Sequence, residues 1–109
     1  MSNRVQLSII TPCFNEESSI EICINEVARV MKLHLPTIRY EHIISDNASV
    51  DGTLNILKRL ANIDKNLKII VNSRNIGTSK NIYRAMSRAS GDCVVPMLPA
   101  DLQDPPEII

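Results

Sequence analysis

Apolar residues along the chain fall into short continuous runs that alternate with longer stretches of helical spacing. Val5 to Thr11 is short, rich in β-branched residues and closed by Pro12, which predicts a buried strand. Ser18 followed by Glu21 has the spacing of a capping box, and Ile20, Cys23, Ile24, Val27 and Met31 then recur at helical intervals to about Leu33. Pro36 punctuates the return to a second strand over Tyr40 to Ser45, centred on Ile43 and Ile44. Asp51 or Thr53 can cap a second helix whose inner stripe is Leu54, Leu57, Leu60 and Ala61. Leu67 to Val71 predicts a third strand. A third helix is expected from Ser79, with Ile82, Ala85, Met86 and Ala89 on one face and Gly91 as its stop. Cys93 to Leu98 predicts a fourth strand, weakened in its outer half where Pro96 lacks a ladder donor. Strand and helix alternate throughout, so the fold class is α/β: a mainly parallel four-stranded sheet flanked by helices and joined by right-handed crossovers.

Composition narrows what such a sheet could serve. The chain has 109 residues, one domain's worth, with 44% hydrophobic and 22% charged residues. Twelve basic side chains balance twelve acidic ones, and the aromatics are only Phe14, Tyr40 and Tyr83. Neither a cationic field nor a set of stacking platforms is available for nucleic acid, so none is expected as a partner. Cys13, Cys23 and Cys93 are odd in number and form no C-x-x-C pair, so they read as reduced thiols packed as small hydrophobes. No signal-peptide pattern and no run of ~18 apolar residues occurs, which points to the cytoplasm, with any contact to the cytoplasmic face of a membrane made by other regions. Asp104-Pro105-Pro106-Glu107-Ile108-Ile109 has the grammar of a helix start, so residues 1–109 are expected to be the front part of a longer protein.

The chemistry gathers where the predicted strands end. In an open parallel sheet, ligands bind outside the carboxyl ends of the strands, near the point where strand order reverses. Each of the four ends carries a polar cluster: Thr11 to Glu17, Asp46 to Thr53, Asn72 to Gly77, and Pro99 to Asp104. The first loop lacks the G-x-G-x-x-G of a dinucleotide fold, and Gly77-Thr78-Ser79-Lys80 lacks the spacing of a P-loop. Phosphates on this edge would need another source of neutralisation. Asp101, with Gln103 two residues on, suggests a divalent metal, because Mg²⁺ and Mn²⁺ prefer oxygen ligands and bridge phosphate oxygens. A phosphoacceptor receiver domain needs an aspartate after its third strand, where this chain has Asn72-Ser73-Arg74. Asp51 reads equally as a helix cap or a ligand contact, Asn75 as a bond within its own loop, Gly77 as a turn, and Arg74 and Lys80 as surface charges or phosphate contacts. His34 and His42 have no ligand partners at useful spacing and receive no role.

Four segments in this order carry a family resemblance: Pro12-Cys13-Phe14-Asn15-Glu16-Glu17, Asp46-Asn47-Ala48-Ser49-Val50-Asp51-Gly52-Thr53, Ser73-Arg74-Asn75-Ile76-Gly77, and Ala100-Asp101-Leu102-Gln103-Asp104-Pro105-Pro106-Glu107. The chain resembles the N-terminal half of family 2 glycosyltransferases, in the branch of dolichol-phosphate mannose synthase and bacterial polyprenyl-phosphate glycosyltransferases. The resemblance implies a Rossmann-like GT-A nucleotide-binding half, a UDP- or GDP-linked sugar donor, Mg²⁺ or Mn²⁺, inversion at the anomeric carbon and an acceptor such as polyprenyl phosphate. Position by position, it implies a nucleotide site of Pro12, Phe14, Glu16, Asp46, Ala100 and Asp101, with Phe14 beside the base and Asp46 reading a base N–H. Metal ligation falls to Asp101 and Gln103. The family's general base lies in its second half, beyond the position of Ile109, so no residue here is assigned a catalytic role. Two departures stand out: Pro99 replaces the first acid of the D-x-D element, and Asn47 and Ala48 replace the more common acid and glycine. The alternative reading is a non-catalytic nucleotide-binding homologue or an inactive fragment. A sugar-phosphate nucleotidyltransferase, of similar architecture, would open with a glycine- and basic-rich loop in place of Asn15-Glu16-Glu17.

Overall fold

The computed structural model describes residues 4–95. The elements run β1 (Leu7–Cys13), α1 (Ile20–His34), β2 (Tyr40–Asp46), α2 (Thr53–Ala61), β3 (Leu67–Val71), α3 (Thr78–Ser87) and β4 (Cys93–Val95). The outer half of the fourth strand, the fourth loop and the segment Asp104 to Ile109 lie outside the described residues.

The sheet is parallel throughout, in the order β3-β2-β1-β4. Chain direction across it reverses after β3, so the switch point falls between β1 and β4. Side-chain alternation sorts the core into two layers. Cys13 and Ile44 meet Ile20 and Ile24 of α1 and Leu57 and Leu60 of α2, and Leu7 and Ile9 meet Val27 and Met31. On the opposite face, Ile10, Ile43 and Ile70 pack on Ala85 of α3. A change of face at the reversal is what right-handed crossovers require. Ile9, Ile10, Ile43 and Ile44 are each at most 1% exposed, and burial of such a side chain is worth roughly 1.5–3 kcal/mol.

Four local expectations are corrected. β1 starts at Leu7 and passes through Pro12 to Cys13. Gln6 accepts from β4, whereas Cys13 accepts from Asn47 after β2. By alternation the ring nitrogen of Pro12 therefore turns to the β4 side, beyond Val95, and costs no bond to β2. The Ser18–Glu21 capping box does not form: Ser19 is the N-cap residue, its hydroxyl donates to Glu16 at 2.9 Å, and Glu21 pairs with Arg59 at 2.8 Å. Met86 is 43% exposed, and the inner face of α3 carries Asn81 beside Ile82 and Ala85. Gly91 is no helix stop, since α3 ends at Ser87; a Cβ on Gly91 would sit 2.7 Å from the Ser8 nitrogen, so glycine is needed for close approach to β1.

Candidate nucleotide site

The carboxyl ends of β1, β2 and β3 feed loops that are bonded to one another. Asn15 donates its N–H to Ser49 Oγ at 2.9 Å and accepts from the Val50 N–H at 2.9 Å. The Glu16 N–H donates to Thr53 Oγ1 at 2.9 Å, the Glu17 N–H to Asp51 Oδ2 at 3.4 Å, and the Gly52 N–H to Glu17 Oε2 at 3.0 Å. Asn15 (φ 53°), Ala48 (φ 64°) and Gly77 (φ 84°) adopt positive φ, all of them in these loops. Asparagine tolerates that region, whereas alanine is strained there.

A chain of amides joins the second loop to the third. Asn47 Oδ1 accepts from the Ile76 N–H at 3.0 Å and from Asn72 Nδ2 at 3.2 Å, while its own Nδ2 donates to Asn75 Oδ1 at 2.9 Å. Asn75 Oδ1 also accepts the Gly77 N–H at 2.9 Å, so Asn75 bonds within its own loop as the sequence suggests. Asn81 Nδ2 donates to the Ser45 carbonyl at 2.9 Å, and its Oδ1 accepts from Asn72 at 2.8 Å and from the Ser45 hydroxyl. Asn47, Asn72 and Asn81 are at most 4% exposed. Asn72 Oδ1 has no partner among the described residues. Sequence reasoning missed this network; the available signal was a polar residue at position 81, in the apolar stripe of α3.

These loops enclose a cavity of about 200 Å³ lined by Pro12, Cys13, Phe14, Glu16, Asn47, Thr78 and Asn81. Pro12, Phe14 and Glu16, expected against a nucleoside, thus share one concavity, with Phe14 45% exposed. Asp46 lies next to Cys13 in register but is only 1% exposed. Its carboxylate accepts from the Ser49 N–H at 3.1 Å, the Ser49 hydroxyl, and the Cys13 thiol at 3.5 Å. Burial first, and then the charge of Asp46, pushes the Cys13 thiol far above its ordinary range, so it is no nucleophile. Desolvation alone would raise the Asp51 carboxyl, but bonds from the Thr53 hydroxyl, the Thr53 N–H at 2.9 Å and the Glu17 N–H outweigh it and hold it below the ordinary value. Ala100, Asp101 and Gln103 lie outside the described residues. Among the described residues no three His, Cys, Asp or Glu side chains are grouped to hold a metal, and no helix is long and apolar enough to cross a membrane.

A larger cavity, about 770 Å³, opens at the other end of the sheet between Leu35, Tyr40, Ile63 and Lys68. Its size does not make it the site. The polar groups that converge, and the switch point itself, are at the carboxyl end.

Residues 8–109 match the sequence profile of glycosyl transferase family 2. The chain belongs to this family. Among its curated relatives is YkcC of Bacillus subtilis (strain 168), an uncharacterized glycosyltransferase, 38% identical over 109 residues that cover 100% of this chain and 33% of that protein. Another is the undecaprenyl-phosphate 4-deoxy-4-formamido-L-arabinose transferase of Yersinia pestis (strain Pestoides F), 35% identical over 105 residues, 95% of this chain and 31% of that one. The chain therefore spans about a third of the length of the curated relatives it matches. Residues 1–349 of TarS from S. aureus, solved with UDP-GlcNAc, superpose with a TM-score of 0.75 at 30% identity, over 89% of this chain and 27% of that one. The mannosyltransferase PcManGT from Pyrobaculum calidifontis, solved with GDP-Man and Mn²⁺, shares the fold with a TM-score of 0.72 at 23% identity, over 92% and 28% of the two chains. The family 2 resemblance and the GT-A fold both stand.

Proposed function

We propose that the chain supplies the nucleotide-binding part of an inverting glycosyltransferase that takes a UDP- or GDP-linked sugar and passes the sugar to polyprenyl phosphate. The observation that carries this reading is the convergence of Pro12, Phe14 and Glu16 on one cavity at the carboxyl edge of a family 2 sheet. The UDP-GlcNAc complex of TarS supports a nucleotide-sugar donor, and the name of the Yersinia relative supports a polyprenyl-phosphate acceptor.

In this reading Pro12 and the exposed ring of Phe14 flank the base, and Glu16 accepts from the nucleoside. A carboxylate offers about four lone-pair sites. Asp46 is buried and has three donors against it already, so a base N–H reaches its remaining lone pair only when the Ser49 turn gives way. Asp101 and Gln103 offer oxygen donors alone, the set that Mg²⁺ and Mn²⁺ prefer. A divalent cation held there supplies Lewis-acid stabilisation to the departing nucleoside diphosphate.

Calorimetry with UDP- and GDP-sugars, with and without Mn²⁺, tests the reading. One of the two donors should bind, and Asp101→Asn should abolish the metal-dependent part while leaving stability within about 1 kcal/mol, as for a surface site. Failure of every donor to bind a folded protein would overturn it. Inverting transfer also needs the acceptor nucleophile held opposite the departing diphosphate; with polyprenyl phosphate that nucleophile is a phosphate oxygen, already ionised near neutral pH. No residue here is assigned to hold the acceptor, so the 109-residue chain should bind donor without transferring sugar; glycolipid formation by it would overturn that expectation.

A further inference from the structure

We propose that Thr53 is a positioning residue for the nucleoside side of the cavity, acting through the backbone of Glu16. The proposal rests on the nucleotide-binding reading above and adds to it the group that fixes the shape of the first loop.

Thr53 opens α2 and is fully buried. A threonine hydroxyl has one proton to give and lone pairs to receive. Its proton goes to Asp51 Oδ1, the same oxygen that accepts the Thr53 N–H at 2.9 Å. With that proton committed, the lone pairs meet the Glu16 N–H at 2.9 Å. The polarity of the hydroxyl is therefore set by a carboxylate two residues away. The second oxygen of Asp51 takes the Glu17 N–H, and Glu17 returns a carboxylate oxygen to the Gly52 N–H, which closes a ring. A Cβ on Gly52 would stand 2.5 Å from that Glu17 oxygen, so a side chain there would push the flexible Glu17 carboxylate aside.

Helix capping alone does not account for this arrangement. A cap satisfies amides of its own helix, and the Asp51 bond to the Thr53 N–H does so. Two consecutive amides of a loop more than thirty residues earlier also end on the Asp51–Thr53 pair. The first of them belongs to Glu16, which lines the cavity together with Pro12 and Phe14. Moving that amide moves the nucleoside wall.

Thr53→Val keeps the shape of the side chain and removes the acceptor, whereas Thr53→Ser keeps the hydroxyl. The readouts are the Kd for UDP and for GDP with Mn²⁺, by calorimetry, and hydrogen exchange at the Glu16 amide. Thr53→Val is expected to weaken the nucleotide that the wild type binds by about tenfold, the equivalent of one hydrogen bond, and to speed exchange at Glu16. Thr53→Ser is expected to restore both. Unchanged affinity in Thr53→Val, with the Glu16 amide exchanging fast, would overturn the proposal, as would equal losses in folded Val and Ser variants. If Thr53→Val does not fold, Asp51→Ala releases the same ring from a partly exposed loop; a lower affinity supports the proposal and an unchanged one overturns it. A wild-type titration in which neither nucleotide binds removes the nucleotide reading itself, and is recognised before any variant is made.

Discussion

Both ends of the sheet bury polar side chains, and they use them differently. At the amino end, Glu41 accepts from Ser8 Oγ at 2.6 Å, the Ser90 N–H at 2.7 Å and the Ser90 hydroxyl at 3.0 Å, and so ties the segment before β4 to β1 and β2. Burial alone would raise its pKa, but these bonds and Lys68 outweigh it and hold the carboxyl below its ordinary value. No residue of positive φ lies at that end among those described. At the carboxyl end, Asn15, Ala48 and Gly77 all bend the backbone into that region, and loop amides bond to side chains of other loops. The amino end spends its polar groups on holding strands together, beside the larger cavity. The carboxyl end accepts strain and spends them on holding loops around the smaller one. Cavity size and candidate site therefore separate, and backbone strain follows the candidate site.

Acid should expose the scaffold half of this contrast with the largest effect. His42 lies within β2, is 2% exposed, bonds Thr11 through Nε2 at 2.8 Å and has no partner for Nδ1. Burial lowers its pKa from 6.5 to about 3, so it stays neutral in the fold and takes a proton in the unfolded chain. Stability is then complete above pH 6.5 and falls as the pH drops toward 3, by up to about 1.4 kcal/mol per pH unit. Glu41 works in the same direction only below its ordinary value of 4.5, which leaves pH 4.5–6.5 to the histidine. Urea unfolding of wild type and His42→Gln across that interval should give a sloping and a flattened profile; parallel slopes would assign the proton elsewhere.

Next in size is Glu41→Ala. It strands three donors at the amino end and should cost about 3 kcal/mol in unfolding free energy, with nucleotide affinity unchanged. Asn81→Ala removes the acceptor shared by Ser45 and Asn72 at the other end. It should cost about 2 kcal/mol and weaken nucleotide binding as well, because Asn81 lines the cavity. Equal effects of the two variants on affinity would erase the distinction between the ends.

The alternation of apolar runs was enough to place every described element and to bring three of the four polar clusters, those after β1, β2 and β3, to one sheet edge, because burial imposes those periods locally. Pairings between distant positions were not legible. Glu41 and His42 sit in a strand where charge ordinarily marks solvent, and their partners Ser8 and Thr11 are more than thirty residues away. Asn81 stands out as a polar residue in the apolar stripe of α3, but the sequence does not show that Ser45 and Asn72 lie beneath it. Asp46 was legible as an acid at a strand end, but its bonds to Cys13 and Ser49 depend on register and on a turn whose left-handed residue is an alanine.

That alanine gives the smallest effect and the sharpest test of stored strain. Ala48 (φ 64°) lies between Asn47, which joins the loops, and Ser49, which Asp46 holds. A left-handed residue with a Cβ costs roughly 1–2 kcal/mol. Glycine removes that cost but adds freedom to the unfolded chain, worth about 0.4–1 kcal/mol. Ala48→Gly should therefore stabilise the protein by about 0.5–1 kcal/mol on balance, read as a higher urea midpoint at constant m-value. Asn15 has nearly the same φ, but its Oδ1 accepts the Val50 N–H, so Asn15→Gly should lose stability from the same starting geometry. A gain in both variants would mean that the loop bond of Asn15 contributes nothing. A loss in both would mean that the Ala48 methyl packs well enough to outweigh its strain, and the carboxyl end would then be no more strained than the amino end.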